Sequence, residues 1–303
     1  MRRRRWISDY AIFIALAIEC AVLAGATGTF LGTGNLMNVL RQNAFTAILA
    51  AGMTFVILTA GIDLSVGSVV GLSGMLCADV MARGHGIPAG VAAGLLVGLT
   101  IGTLNGLVIT RVRIPAFVVT LAMMMVARGA ALKYTGARTI AGLPPAFGLL
   151  SGNLMSVAIM AVVFALSWVA LMRTPFGRHV YAVGGNEDAA WLSGVRVARV
   201  RMAVYMLCGA TAGLAGVLVA ARLHVGYPRA GEFSELDAIA AVVVGGTSLF
   251  GGRGSIWGTL AGVFFIGILN NGLNLFNVSP YDQMVVKGGV LLVAASLDRW
   301  RSS

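Results

Sequence analysis

Between Arg41 and Asp79 the chain carries one charged residue, Asp63, set in Gly61-Ile62-Asp63-Leu64-Ser65-Val66-Gly67 with an uncharged apolar stretch on each side. A carboxylate in such a place is costly unless the chain breaks there and finds water or polar partners. The flanking glycines supply the conformational freedom for a break. Three further stretches, 86–110, 202–221 and 254–281, contain no charge at all. A helix that crosses a bilayer needs about 20 mostly apolar residues, and each stretch provides them. These features confine the chain to the folds open to a membrane polypeptide. It reads as an all-α polytopic membrane protein with broken or re-entrant segments, organised as one transmembrane domain over residues 1–303. Charged residues make up only 11% of the chain, against about 25% in an average soluble domain.

The formal net charge is +11. The basic residues flank apolar spans, as topology signals do, and form no patch of the kind that binds nucleic acid. Cys20, Cys77 and Cys208 all fall in apolar spans without a Cys-x-x-Cys pair, which reads as buried structural thiols.

Ten spans are expected, at about 10–31, 43–60, 64–82, 88–110, 115–133, 154–172, 202–221, 237–246, 255–276 and 283–297. The first follows Arg2 to Arg5 and is read as a retained helix with a cytoplasmic N-terminus, although Ala24-Gly25-Ala26 resembles a signal-peptide cleavage site. The eighth is too short to cross if it stops at Gly245-Gly246, so it continues to Phe250, is a broken helix, or re-enters within protein. With ten spans, both termini are cytoplasmic. Arg2, Arg3, Arg4, Arg5, Arg111, Arg113, Arg173, Arg178, Arg196, Arg199, Arg201, Arg253, Arg299 and Arg301 then lie inside, 14 of the 22 Lys and Arg residues. That excess has the sign the positive-inside rule requires.

Gly90, Gly94, Gly98, Gly102 and Gly106 recur every four residues. On a helix they form a ridge about 24 Å long. A second backbone can approach closely along it, as tight helix packing, a subunit interface or a path wall. A weak repeat is also visible. Gly61–67 and Gly246-Thr247-Ser248-Leu249-Phe250-Gly251-Gly252 share the form Gly-x-x-Leu-x-x-Gly, and Asn105-Gly106-Leu107 echoes Asn271-Gly272-Leu273. Both echoes are consistent with duplicated parallel halves.

The longest hydrophilic cytoplasmic segment is 173–201. Within it Asn186 suits a helix N-cap, Glu187 and Asp188 suit the positive first turn, and Gly194 suits the helix end. The predicted product is a short helix outside the bilayer, with Trp191 and Leu192 as apolar contacts. It serves as a docking knob for a cytoplasmic partner or as an ordinary surface helix.

No catalytic constellation appears. His85, His179 and His224 are far apart in sequence and fall on both sides of the membrane, so neither a metal site nor a triad is expected. There is no Gly-x-x-x-x-Gly-Lys-Ser/Thr loop, and the two lysines, Lys133 and Lys287, sit in no phosphate-cradling motif. Asp63 is read as the cap of the third helix or as a gating residue. Neutral polar residues in spans, Asn105, Asn270, Asn271 and Asn274, are the candidates for touching a hydroxyl-rich substrate, or for bonding neighbouring helices.

The 173–201 loop, with Asp188-Ala189-Ala190 and Gly194, resembles the coupling loop of ABC-importer permeases. Residues 61–68, the run Glu235-Leu236-Asp237-Ala238-Ile239-Ala240-Ala241-Val242-Val243-Val244-Gly245-Gly246-Thr247, and Asn270-Asn271-Gly272-Leu273-Asn274-Leu275 narrow the resemblance. Together they are similar to the monosaccharide, ribose-type branch of the branched-chain amino acid/monosaccharide permease family, over residues from about 35 to 297. The chain departs from that pattern at Trp191, where the family carries a basic residue. The resemblance implies a homodimeric or heterodimeric permease in the bacterial inner membrane. A separate cytoplasmic ABC ATPase would use ATP and Mg and bind Asn186, Glu187, Asp188, Ala189, Ala190, Trp191, Leu192 and Gly194. A periplasmic binding protein would deliver a monosaccharide such as ribose. This chain itself would bind no cofactor and be no enzyme. The alternatives are a branched-chain amino-acid permease and an ion-coupled secondary transporter.

Overall fold

The computed structural model describes residues 2–152 and 154–302. The side chains of residues 2–10, 297 and 300–302 lie outside the described set, and with them Arg2, Arg3, Arg4, Arg5 and Arg301 of the charge tally. The described chain is all-helical apart from one isolated antiparallel bridge between Ile140 and Gly226. In order the helices are α1 (Arg2–Ala26), α2 (Thr33–Leu58), α3 (Val66–Ala82), α4 (Gly86–Leu107), α5 (Ala116–Thr135), α6 (Met155–Arg173), α7 (Pro175–Gly185), α8 (Glu187–Leu192), α9 (Val197–Leu223), α10 (Ser234–Val244), α11 (Ile256–Leu275) and α12 (Pro280–Ser302). Among the described residues six helices are long and apolar enough to cross a membrane, namely α2, α4 with its extension, α5, α6, α9 and α11. This is a multi-pass membrane protein.

Local chemistry explains many of the boundaries. Pro175 occupies the first turn of α7, and Thr174 Oγ1 accepts from Gly177 N at 3.3 Å. Ser255 Oγ caps α11 by accepting from Gly258 N at 3.1 Å. Gly136, at φ +59°, ends α5 in the left-handed conformation. At its far end α4 passes into a π-helical turn, Val108–Val112, which Arg113 closes at φ +62°.

Helix α2 is the axis of the bundle. Every residue from Ala47 to Thr59 is buried, because α9, α11, α10 and α6 all pack on it. A helix apolar on all sides belongs in such a place. By contrast α5 and α6 each leave an apolar face open, through Phe117, Met125 and Val126 and through Val162, Leu166 and Val169. Such faces suit lipid.

Helices α3, α4 and α9 form the closest-packed unit. The α4 glycine row runs along α9. A Cβ on Gly98 would come within 2.7 Å of the Gly213 backbone, and one on Gly102 within 3.0 Å of the Gly209 Cα. Gly106 abuts Met202, while Gly90 at the other end meets Met81 and the Cys77 carbonyl of α3.

The second Gly-x-x-Leu-x-x-Gly segment meets the end of α2 just ahead of the first. Gly252 N donates to Leu58 O at 2.9 Å, and Gly251 sits against Ala60 and the Gly184 carbonyl. The second echo fails. Asn105 lies toward this same end, beside Ser65, whereas Asn271 lies at the opposite end, beside Asn35. The Asn-Gly-Leu likeness therefore does not mark equivalent positions in two parallel halves.

Helix α10 has 11 residues, about 16 Å at the standard rise, so it does not cross a bilayer alone. It is the lower half of a broken element. The segment 224–233 between α9 and α10 descends along α3: Gly226 packs on Met75 and Ala78, and Gly231 on Gly67 and Val70. Gly67 is 15 residues, about 22 Å, from the Ala82 end of α3. The eighth expected span is thus a half-length helix preceded by a segment packed along α3.

Candidate functional site

At the α8 end, Asn186 Oδ1 accepts from Ala189 N at 2.9 Å and so caps α8. Gly194, at φ +83°, turns the chain out of the helix. Glu187 pairs with Arg201 of α9 at 2.6 Å, which fixes α8 against the start of that helix. Asp188 and Ala189 complete the exposed first turn, and Ala190 is buried beneath it. Trp191 and Leu192 project outward with 68% and 77% of their surfaces exposed. Two apolar side chains thus stand exposed on a capped helix that an ion pair ties to α9.

Beside α8 opens a cavity of about 930 Å³, lined among others by Gly61, Thr110, Arg113, Trp191, Arg196, Arg199 and Tyr205. The π-helical turn of α4 and the break after α2 both contribute wall. π turns within α-helices are frequent at functional sites.

Behind that wall sits Asp63, 1% exposed. One of its oxygens accepts from Ser65 N at 2.9 Å and from Ser65 Oγ at 2.6 Å. Asn105 Nδ2 of α4 donates to Ser65 Oγ at 2.9 Å. Thr120 Oγ1 of α5 donates to the Ile62 carbonyl at 3.2 Å. Asp63 therefore closes a turn just ahead of α3 and, through Ser65, connects the break to α4. The interaction is with the turn and not with the first-turn amides of α3. Such bonds are what make a buried carboxylate tolerable.

The four asparagines do not converge. Asn105 belongs to the Asp63 turn. Asn271 exchanges two amide hydrogen bonds with Asn35 at 3.0 and 2.8 Å, and exposed Asn274 accepts from Gln283 Nε2 at 2.8 Å. Asn270 keeps a buried side-chain oxygen without a hydrogen-bond partner among the described residues. Three of the four are engaged in holding the protein's own segments. His85, His179 and His224 remain apart, and among the described residues no group of three His, Cys, Asp or Glu side chains is arranged to hold a metal ion.

A second polar region lies within the bundle, and sequence reading missed it. Arg128, inside the apolar run of α5, donates through Nη1 to the carbonyls of Pro228 at 2.8 Å and Ala230 at 3.1 Å, and through Nη2 to Gly67 O at 3.3 Å. Gly67 and Gly71 leave the groove on α3 in which this segment lies. A Cβ on Gly71 would come within 2.9 Å of both carbonyls and of Arg128 Nη1. Asp237 of α10 pairs with Lys287 of α12 at 2.9 Å. A signal was present: a guanidinium in mid-span is a functional pointer by default, as is an unusually short, Gly-interrupted apolar segment such as 237–246.

Residues 35–295 match the family described as the permease component of branched-chain amino acid transport systems. The chain is 48% identical to the ribose import permease protein RbsC of Bacillus subtilis, over 96% of this chain and 92% of that protein. It is 44% identical to the ribose import permease protein RbsC of Escherichia coli K12, over 97% and 95%. It is 37% identical to the D-allose transport system permease protein AlsC of Escherichia coli K12, over 96% and 91%. No solved structure matches the chain significantly. With a family match across most of its length, full-length relatives at this identity, and a capped projecting helix beside a broken transmembrane core, the chain belongs to this permease family.

Proposed function

We propose that this chain is the membrane-spanning subunit of a bacterial ABC importer that carries a monosaccharide, ribose in the first instance, across the inner membrane. The observation that carries the substrate is the 48% identity to a ribose import permease along almost the whole chain. In this reading α8 receives a cytoplasmic ATPase that uses ATP and Mg, and a periplasmic sugar-binding protein docks at the opposite end. The permease acts as a dimer with a second copy or a similar chain. All ten apolar helices sit in the bilayer with both termini cytoplasmic, and α10 is the half-length member.

Supporting the docking role, α8 presents Trp191 and Leu192 while Glu187 and Arg201 fix it to α9. From there Tyr205 of α9 reaches the break at Gly61, and the Asp63 turn leads on to α3 and α4. ATPase closure would move these joined parts as one lever, converting hydrolysis into alternating access.

Reconstitution with the cognate ATPase and binding protein tests this. ATP-dependent uptake of labelled ribose is expected. In Leu192→Arg, recovery of the ATPase with the permease should fall about tenfold, the effect of losing one desolvated apolar anchor. Sugar uptake without the ATPase, or retained ATPase association in the variant, would contradict the reading.

A further inference from the structure

Segment 224–233 has two faces. Pro228 and Ala230 are buried in the α3 groove, while Tyr227, Arg229, Glu232 and Phe233 are exposed. Neither Arg229 nor Glu232 makes an ion pair or a side-chain hydrogen bond among the described residues. The segment nonetheless lies alongside Gly67 and Val70, well below the end of α3. Exposed charges at that depth, without an ion pair among the described residues, face water or protein and not hydrocarbon. Backbone without helix is likewise tolerated at membrane depth only against protein or a cavity.

We infer that Tyr227, Arg229, Glu232 and Phe233 form the contact surface for the sugar in transit. The inference rests on the monosaccharide reading above. The chemistry fits a polyol. A carboxylate accepts from neighbouring hydroxyls and a guanidinium donates to ring and hydroxyl oxygens. The flat faces of Tyr227 and Phe233 suit the C–H face of a sugar ring, and both rings are anchored on a backbone with little freedom to move. Turns close that backbone, with Ala230 N donating to Tyr227 O at 3.0 Å and Ser234 N to Gly231 O at 3.0 Å. Arg128 holds it from behind. Side chains on a pre-set backbone discriminate sugars without a deep pocket.

The test uses the complete importer, with ATPase and binding protein, in liposomes. Uptake of ribose is measured alone and in competition with allose and xylose, for Arg229→Gln, Glu232→Ala and Phe233→Asn. Asparagine is chosen at position 233 because it tolerates the left-handed backbone found there, φ +65°. Glu232→Ala should lower uptake about tenfold, the scale of one charge-assisted hydrogen bond, with Glu232→Asp recovering part of it. At least one of the three variants should reorder the competition among the sugars. Assembly is followed in parallel by the mass of the purified complex. Unchanged uptake and unchanged sugar preference in all three would overturn the inference while leaving the monosaccharide reading intact. So would loss of uptake accompanied by dissociation of the permease dimer, which would mark the surface as a subunit contact. Failure of the unaltered importer to carry any of the three sugars would sink both readings.

Discussion

Two close backbone approaches in this protein use the same device to different ends. At the α4–α9 seam, Gly94, Gly98 and Gly102 lie against Gly209 and Gly213. In the α3 groove, Gly67 and Gly71 admit segment 224–233. Both places lack side chains so that main chain can meet main chain. The difference lies in what is brought in. At the seam the partner is a continuous helix whose backbone groups bond one another, so packing alone holds it. In the groove the partner is irregular, and its carbonyls need donors that neither lipid nor α3 supplies. Arg128 provides them. A glycine row by itself therefore marks proximity. A glycine row with a half-buried cation beside it marks an irregular segment whose carbonyls are satisfied from outside.

The largest expected effect comes from removing that cation. Arg128→Met leaves the carbonyls of Pro228 and Ala230 without their donor, at about 1–3 kcal/mol for each buried group. Amide hydrogen exchange should quicken across 226–233 and stay slow across 94–106. Equal protection of both regions in the variant would erase the distinction between seam and groove.

Next is Gly98→Leu, which drives a side chain into the Gly213 backbone. Overpacking of this kind costs about 1–3 kcal/mol. Lower thermal stability of the purified permease is expected, with the sugar competition order unchanged. A changed order at full stability would move the seam into the transport path.

Gly71→Ala sharpens the comparison. Its Cβ would press on two carbonyls and on Arg128. The stability cost should be about 1 kcal/mol, the low end for overpacking, but unlike Gly98→Leu it should alter uptake by shifting 224–233. A stability loss with untouched uptake would show that the groove is mere packing.

The smallest effect belongs to the amide pair. Asn271→Ala removes two hydrogen bonds that tie α11 to α2. About 1 kcal/mol of stability should go, in line with side-chain bonds between membrane helices. Ribose uptake by the remaining complex should hold, and a selective loss of uptake would return Asn271 to the pathway.

Much of this architecture was legible in residue order. The uncharged runs gave the helices, and Gly61 to Gly67 gave the break around Asp63. Asn186 and Gly194 bounded α8 because caps act within one turn. The same logic failed for the asparagines, since a neutral amide in an apolar run looks alike whether it faces a path or a partner. Asn35, the partner of Asn271, is 236 residues away. Asp63 was legible as a local turn-former, while its link through Ser65 to Asn105 spans 40 residues and was not.

By itself the sequence determined the solvent, the apolar core of most helices, the caps of α8, and the row of glycines on α4. These follow from hydropathy, from capping and from the 3.6-residue repeat, all of which act over a few neighbouring residues. Only the tertiary structure decided which helix the glycines meet, and that segment 224–233 turns inward along α3. It also decided that Arg128 stands across from that segment's carbonyls, 100 and 102 residues away in the chain. Depth in the bundle is a property of the packed whole. A polar residue's role there depends on whether another part of the chain arrives to satisfy it, and no local pattern encodes that arrival.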